Sequence, residues 1–147
     1  MIEMTQRYHH TQVGYLTLTV GIVLMAVGLY GLRVTMAGGL IWLAAGLVLV
    51  LLFGCLTVTV RDHVVEIRFG IGLIRKRYPL GQFLEVRVVR NKWYYGWGIR
   101  WWPGTILFNV SGLDAVELRR PDGSAVRIGT DEPEALKRAL DRLRGGT

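Results

Sequence analysis

Six aromatic residues fall within ten positions: Trp93, Tyr94, Tyr95, Trp97, Trp101 and Trp102, with Gly96, Gly98 and Arg100 among them. Indole and phenol rings join an apolar body to a polar tip. Such rings settle in the headgroup layer of a bilayer, and beside arginine they also make protein-binding hot spots. A core of this size does not need so many adjacent rings. Three readings stand: the segment lies against a membrane, it contacts a protein partner, or it folds into the domain's own barrel. A second group is basic. Arg75, Arg77, Arg87, Arg90 and Lys92 form a candidate basic face for anionic lipid headgroups, with a solvated strand face as the alternative. Alternation sends Arg75 and Arg77 to one side of their strand and Lys76 to the other.

Catalytic patterns are missing. The histidines are His9, His10 and His63, and no metal-ligand spacing links them to carboxylates. Cys55 is the single cysteine, so no internal disulfide or thiolate cluster is expected. Gly70-Ile71-Gly72 and Gly96-Trp97-Gly98 lack the strand-to-helix setting of a nucleotide fingerprint and read as turns. The sequence predicts no enzyme, no cofactor, no metal and no nucleic-acid partner.

The elements that position these groups follow from segregation of charge. Hydrophobic residues make up 51% of the 147, yet 20% are charged. Residues 13–32 and 37–57 are two uncharged apolar runs separated by Arg33-Val34-Thr35-Met36. Twenty helical residues span about 30 Å, a hydrocarbon core's thickness, so the runs predict an antiparallel transmembrane hairpin. Residues 1–12 read as a tail. Arg7, Arg61, Arg68, Arg75, Lys76 and Arg77 flank the open end and Arg33 alone the tip. The positive-inside rule therefore predicts both termini and the soluble domain in the cytoplasm. Gly14, Gly21 and Gly28 recur every seven residues, and Gly39 and Gly46 repeat the spacing. Small residues let helices approach in lipid, so this stripe serves either contact within the hairpin or homo-oligomerisation.

Residues 58–147 carry a period of two. In Leu84-Glu85-Val86-Arg87-Val88, for example, Leu84, Val86 and Val88 share one face. Strands are predicted at 56–61, 63–69, 73–78, 82–90, 98–102, 105–110 and 114–119, with an eighth at 124–129. One amphipathic helix over 132–144 follows, capped by Thr130 or Asp131, with Leu136, Ala139, Leu140 and Leu143 on its stripe. The fold expected is a two-helix transmembrane hairpin, then a mainly antiparallel β barrel or sandwich closed by a C-terminal helix.

This series resembles the bacterial pleckstrin-homology (PH)-like domains of small membrane proteins. The resemblance rests on Arg68-Phe69-Gly70, Ile74-Arg75-Lys76-Arg77 running into Tyr78-Pro79-Leu80, and the segment Trp93 to Arg100. Asn109-Val110-Ser111-Gly112, Ala115-Val116-Glu117-Leu118 and Ile128-Gly129-Thr130-Asp131-Glu132-Pro133 complete it. It covers roughly residues 55–144. One departure matters: the first strand-to-strand loop is only Arg61-Asp62-His63, too short for a phosphate cradle. The resemblance implies a non-catalytic module at a bacterial inner membrane, binding a protein partner or the anionic leaflet.

Overall fold

Val58, Val60, Val65 and Ile67 are buried on one side of two neighbouring strands, while Thr57, Thr59, Glu66 and Arg68 take the other side. In the computed structural model, which describes residues 8–145, these strands belong to a chain of nine strands and three α-helices. The order is β1 (Tyr8–Val13), α1 (Tyr15–Gly31), α2 (Met36–Phe53), β2 (Cys55–Arg61), β3 (Val64–Phe69), β4 (Ile74–Pro79), β5 (Glu85–Arg90), β6 (Gly98–Trp102), β7 (Thr105–Asn109), β8 (Asp114–Arg119), β9 (Ala125–Gly129) and α3 (Pro133–Gly145). Short 3-10 turns at Leu80–Gln82 and Trp93–Tyr95 flank β5.

Two mainly antiparallel sheets result. The first runs β1-β2-β3-β4 and the second β5-β8-β9-β7-β6, in which β7 and β9 are parallel. Leu56, Val60 and Phe69 of the first sheet meet Phe108, Val116, Leu118 and Ile128 of the second in one core, and Leu136 and Leu140 of α3 close it. The predicted C-terminal helix is present, and Thr130 Oγ1 accepts from the Glu132 backbone N–H at 3.0 Å just before it.

The N-terminal segment departs from the expected tail. Over its described part, residues 8–12 are strand, pairing with β2 from Tyr8 opposite Val60 to Val13 opposite Cys55. Residues 1–7 lie outside the described residues. The helices are correspondingly shorter than the apolar runs 13–32 and 37–57. Val13 and Cys55 to Thr57 are uncharged, so hydropathy joins them to the helices, but Gly14 leaves helical geometry and their backbone groups pair across the ladder.

α1 and α2 pack antiparallel through glycine. The buried residues of α1 are Thr17, Gly21 and Gly28, and those of α2 are Gly39 and Gly46. A Cβ on Gly28 would sit 2.6 Å from the Leu43 backbone nitrogen, and one on Gly46 would sit 2.6 Å from the Gly21 carbonyl. The glycine stripe is thus consumed within the hairpin. Most of the large apolar side chains point outward, including Ile22, Val23, Leu29, Ile41 and Leu47, while Met25, Leu43 and Val50 are half-buried beside the glycines. α2 is long and apolar enough to cross a membrane, whereas α1, at 17 residues, is apolar but shorter.

The seam predicts a graded response. Gly28→Val forces the helices apart and lowers stability by about 1–3 kcal/mol, the ordinary cost of overpacking. Gly31→Ala, whose Cβ would meet its nearest neighbour at 3.4 Å, leaves stability unchanged. Thermal melting of the two variants in detergent measures the contrast.

Candidate functional site

Gly70 fixes how the hairpin joins the β domain. Its φ is +49°, and a Cβ there would collide with the Leu51 carbonyl, so glycine alone fits. The turn after β3 thereby reaches α2, and the Ile71 N–H donates to the Leu51 carbonyl at 3.0 Å. On the other side of the root, the Gly14 N–H donates to the Gly54 carbonyl at 2.9 Å. Phe53 then stacks edge-on against Phe69, with centroids 5.6 Å apart, which connects the helix end to the core. Ile71 and Leu73 remain exposed beside this root.

The aromatic segment occupies the opposite edge. β6 is the last strand of the second sheet. Trp97, Gly98, Ile99 and Arg100 face Leu16, Thr17, Val20, Leu49 and Phe53 across an apolar groove of about 390 Å³. The strand therefore lies alongside the first turns of the hairpin. Trp93 and Trp101 are 76% and 77% exposed, and Tyr94 is also exposed. Tyr95 and Trp102 are half-buried and stack with centroids 4.9 Å apart. Tyr94, Tyr95, Arg100, Trp101 and Trp102 line a shallow cup on the outside. The segment is thus divided: Tyr95 and Trp102 pack on the domain, and Trp93, Tyr94 and Trp101 face out.

The expected basic face is divided too. Arg75 and Arg77 lie on the outer face of the first sheet, where the register adds Arg61 and Arg68. Arg87 and Arg90 lie on the second sheet, and there they are paired. Arg87 approaches Glu85 at 3.6 Å and Glu117 at 3.4 Å, and Arg90 approaches Asp114 at 3.7 Å. Lys92 sits 5.6 Å from the Tyr94 ring centroid. Five residues that are near in sequence therefore belong to two surfaces.

Sequence reasoning missed the charge that organises the second surface. Glu117 is 2% exposed, although it stands on the outer face of β8. The register places Arg87 of β5 and Arg127 of β9 on either side of it. Arg127 Nε donates to Glu117 at 2.7 Å, and Arg119 donates at 3.1 Å. Arg127 also donates to Asn91 Oδ1 at 3.3 Å and lies 5.7 Å from the Trp102 ring centroid. One carboxylate thus positions an arginine that in turn seats the aromatic segment. Burial pushes the Glu117 carboxyl up, but the Arg127 hydrogen bond and the charges of Arg127, Arg119 and Arg87 outweigh it, so its pKa falls below the ordinary 4.5.

The histidines act as ties. His9 Nδ1 shares a hydrogen bond with Thr59 Oγ1 at 2.9 Å, His10 Nε2 meets Asp131 at 2.6 Å, and His63 Nδ1 meets the Leu143 carbonyl at 2.6 Å. Among the described residues, no group of three or more His, Cys, Asp or Glu converges as a metal site would. No protein-family model and no curated protein matches the chain.

Glu117→Gln leaves Arg127 and Arg87 beside a neutral amide and lowers stability by about 3 kcal/mol at neutral pH. The sign with pH follows from the lowered pKa. The carboxylate's contribution is complete above 4.5, its unfolded value, and is lost as pH falls through the lower folded value. Melting curves of both proteins from pH 7 down to acid are expected to converge, because the native chain alone loses this contribution.

Proposed function

We propose that this chain is a membrane-tethered, non-catalytic PH-like scaffold whose β domain rests on the leaflet beside its anchor. The observation that carries it is the hairpin surface. Both helices are apolar on all sides, and little but glycine is buried between them. A helix of that kind needs either a protein core or a bilayer around it, and this domain supplies no such core. On this reading α1 and α2 both enter the membrane, the shorter α1 extended by flanking uncharged residues. The excess of basic residues at the open end supports a cytoplasmic domain and cytoplasmic termini, in a bacterial inner membrane. The four-stranded antiparallel sheet, the second sheet and the closing helix support the PH-like description, while the parallel β7–β9 pair departs from it.

The groove between β6 and the hairpin root supports an aromatic segment at headgroup level on this reading, an environment that the exposed rings of Trp93, Trp97 and Trp101 favour. A second reading has its own support. β6 is an open sheet edge with exposed tryptophans, a surface that a protein partner or a second copy could extend.

Reconstitution into vesicles with brominated acyl chains tests the first reading. Tryptophan fluorescence is expected to be quenched by bromine near the headgroups, and Trp97→Ala with Trp101→Ala removes most of that quenching while leaving the Trp42 signal. The double variant remains in the membrane pellet after alkaline carbonate, because the hairpin still holds it. Release of the native chain by carbonate would contradict the anchor. Unchanged shallow quenching in the double variant would shift the aromatic segment to the partner reading.

A further inference from the structure

On the outer face of the first sheet, Arg68 of β3 stands directly opposite Arg75 of β4. Like charges at a directly opposed cross-strand position repel, and the fold carries that cost. The same groove, about 250 Å³, also takes in Arg61, Arg77, Thr59 and Glu66. Glu66 is the one carboxylate among its lining residues, and Arg77 Nε holds it at 2.8 Å. Arg75 Nε donates to the Gly72 carbonyl at 2.7 Å, which fixes the guanidinium while leaving its outer N–H groups free to donate. Among the described residues, Arg61 and Arg68 have no acidic partner.

We propose that this groove binds the phosphate of an anionic glycerophospholipid, held between Arg68 and Arg75. The inference rests on the membrane-tethered reading and names the ligand of that tethered face. Charge points to the chemistry, since a guanidinium fork matches phosphate oxygens and an anion between the two forks removes their repulsion. Height points to the source. Arg68 is two residues from Gly70, whose turn is bonded to α2 through the Ile71 N–H. At about 3.3 Å per residue, the arginine pair lies within the headgroup layer above the hairpin root. Ile71 and Leu73, 62% and 74% exposed, flank the pair on the membrane side and give the acyl chains an apolar contact. Arg87, Arg90 and Lys92 are not part of this site.

Native mass spectrometry of the full chain in non-ionic detergent tests it, with phosphatidylglycerol or phosphatidylcholine added. Phosphatidylglycerol is expected to stay bound and phosphatidylcholine to leave. A basic residue near the surface weighs about fivefold in affinity, so Arg68→Gln with Arg75→Gln lowers phosphatidylglycerol retention about twenty-five-fold. Arg68→Lys keeps the charge, loses the fork and gives an intermediate loss. Arg90→Gln has no effect. Without lipid, the double variant melts no lower than the native chain, because a repelling pair has been removed. Undiminished retention in the double variant, equal retention of phosphatidylcholine, or displacement by millimolar inorganic phosphate would each overturn the site. A chain that carbonate strips from membranes defeats the tethered reading itself. An integral chain with undiminished retention in the double variant defeats only this site.

Discussion

The pairing of β1 with β2 is the constraint on which the rest depends. The helical hairpin is the connection between these two strands, so its ends must emerge side by side. Val13 opposite Cys55, and Gly14 bonded to Gly54, fix that exit to a single point of the sheet. Two apolar helices leaving at adjacent points must then run together, and the glycine seam lets them do so at close range. An N-terminal strand before the hairpin therefore does more than add an edge. It ties the hairpin into the core through backbone hydrogen bonds, which leaves the domain little freedom to swing against it.

That rigidity gives each side chain a height above the hairpin root. Ile71 and Leu73 in the turn between β3 and β4, and Trp97 and Ile99 at the start of β6, lie beside the root. Arg68 and Arg75 stand one step further out, and the histidine ties of β1 and the β2–β3 turn stand further still. Apolar, then basic, then polar is the order in which a bilayer presents its own chemistry from hydrocarbon to water. On the proposed reading the sheet face is matched to the leaflet, layer by layer. The second sheet solves a different problem. Its outer face buries Glu117 under arginines, and one of them, Arg127, also holds Trp102 and Asn91, so the exposed rings project from a supported platform.

Much of the strand layout was legible because turn residues and alternation are local signals. The turn signals at Arg61-Asp62, Pro103-Gly104 and Pro121-Asp122-Gly123 separate strands close to where the structure has them. Strand β1 was not legible: Tyr8 to Val13 carries two histidines and a glutamine, and its partner lies beyond the whole hairpin. Alternation also overreached. Leu84 and Val88 share a face with Val86, yet Leu84 is 67% exposed, because it lies just before β5, and β5 is an edge strand. The opposite error occurs at β8, the neighbour of two strands, where Glu117 is buried on the face that alternation assigns to solvent. The candidate site suffered for the same reason. Arg68 and Arg75 meet only through the register across a turn, whereas Arg87 and Arg90 are near Arg77 in sequence but on another sheet.

The measurement that tests the central claim most directly is sidedness of labelling in sealed membrane vesicles of known orientation. In a Cys55→Ser background, Val34→Cys places a thiol at the hairpin tip and Arg138→Cys places one on α3 of the β domain. A membrane-impermeant maleimide applied from outside right-side-out vesicles is expected to label the Val34 position at once, and the Arg138 position only after permeabilisation. Labelling of both positions from the same side, without permeabilisation, would contradict a hairpin that crosses the bilayer with its domain in the cytoplasm.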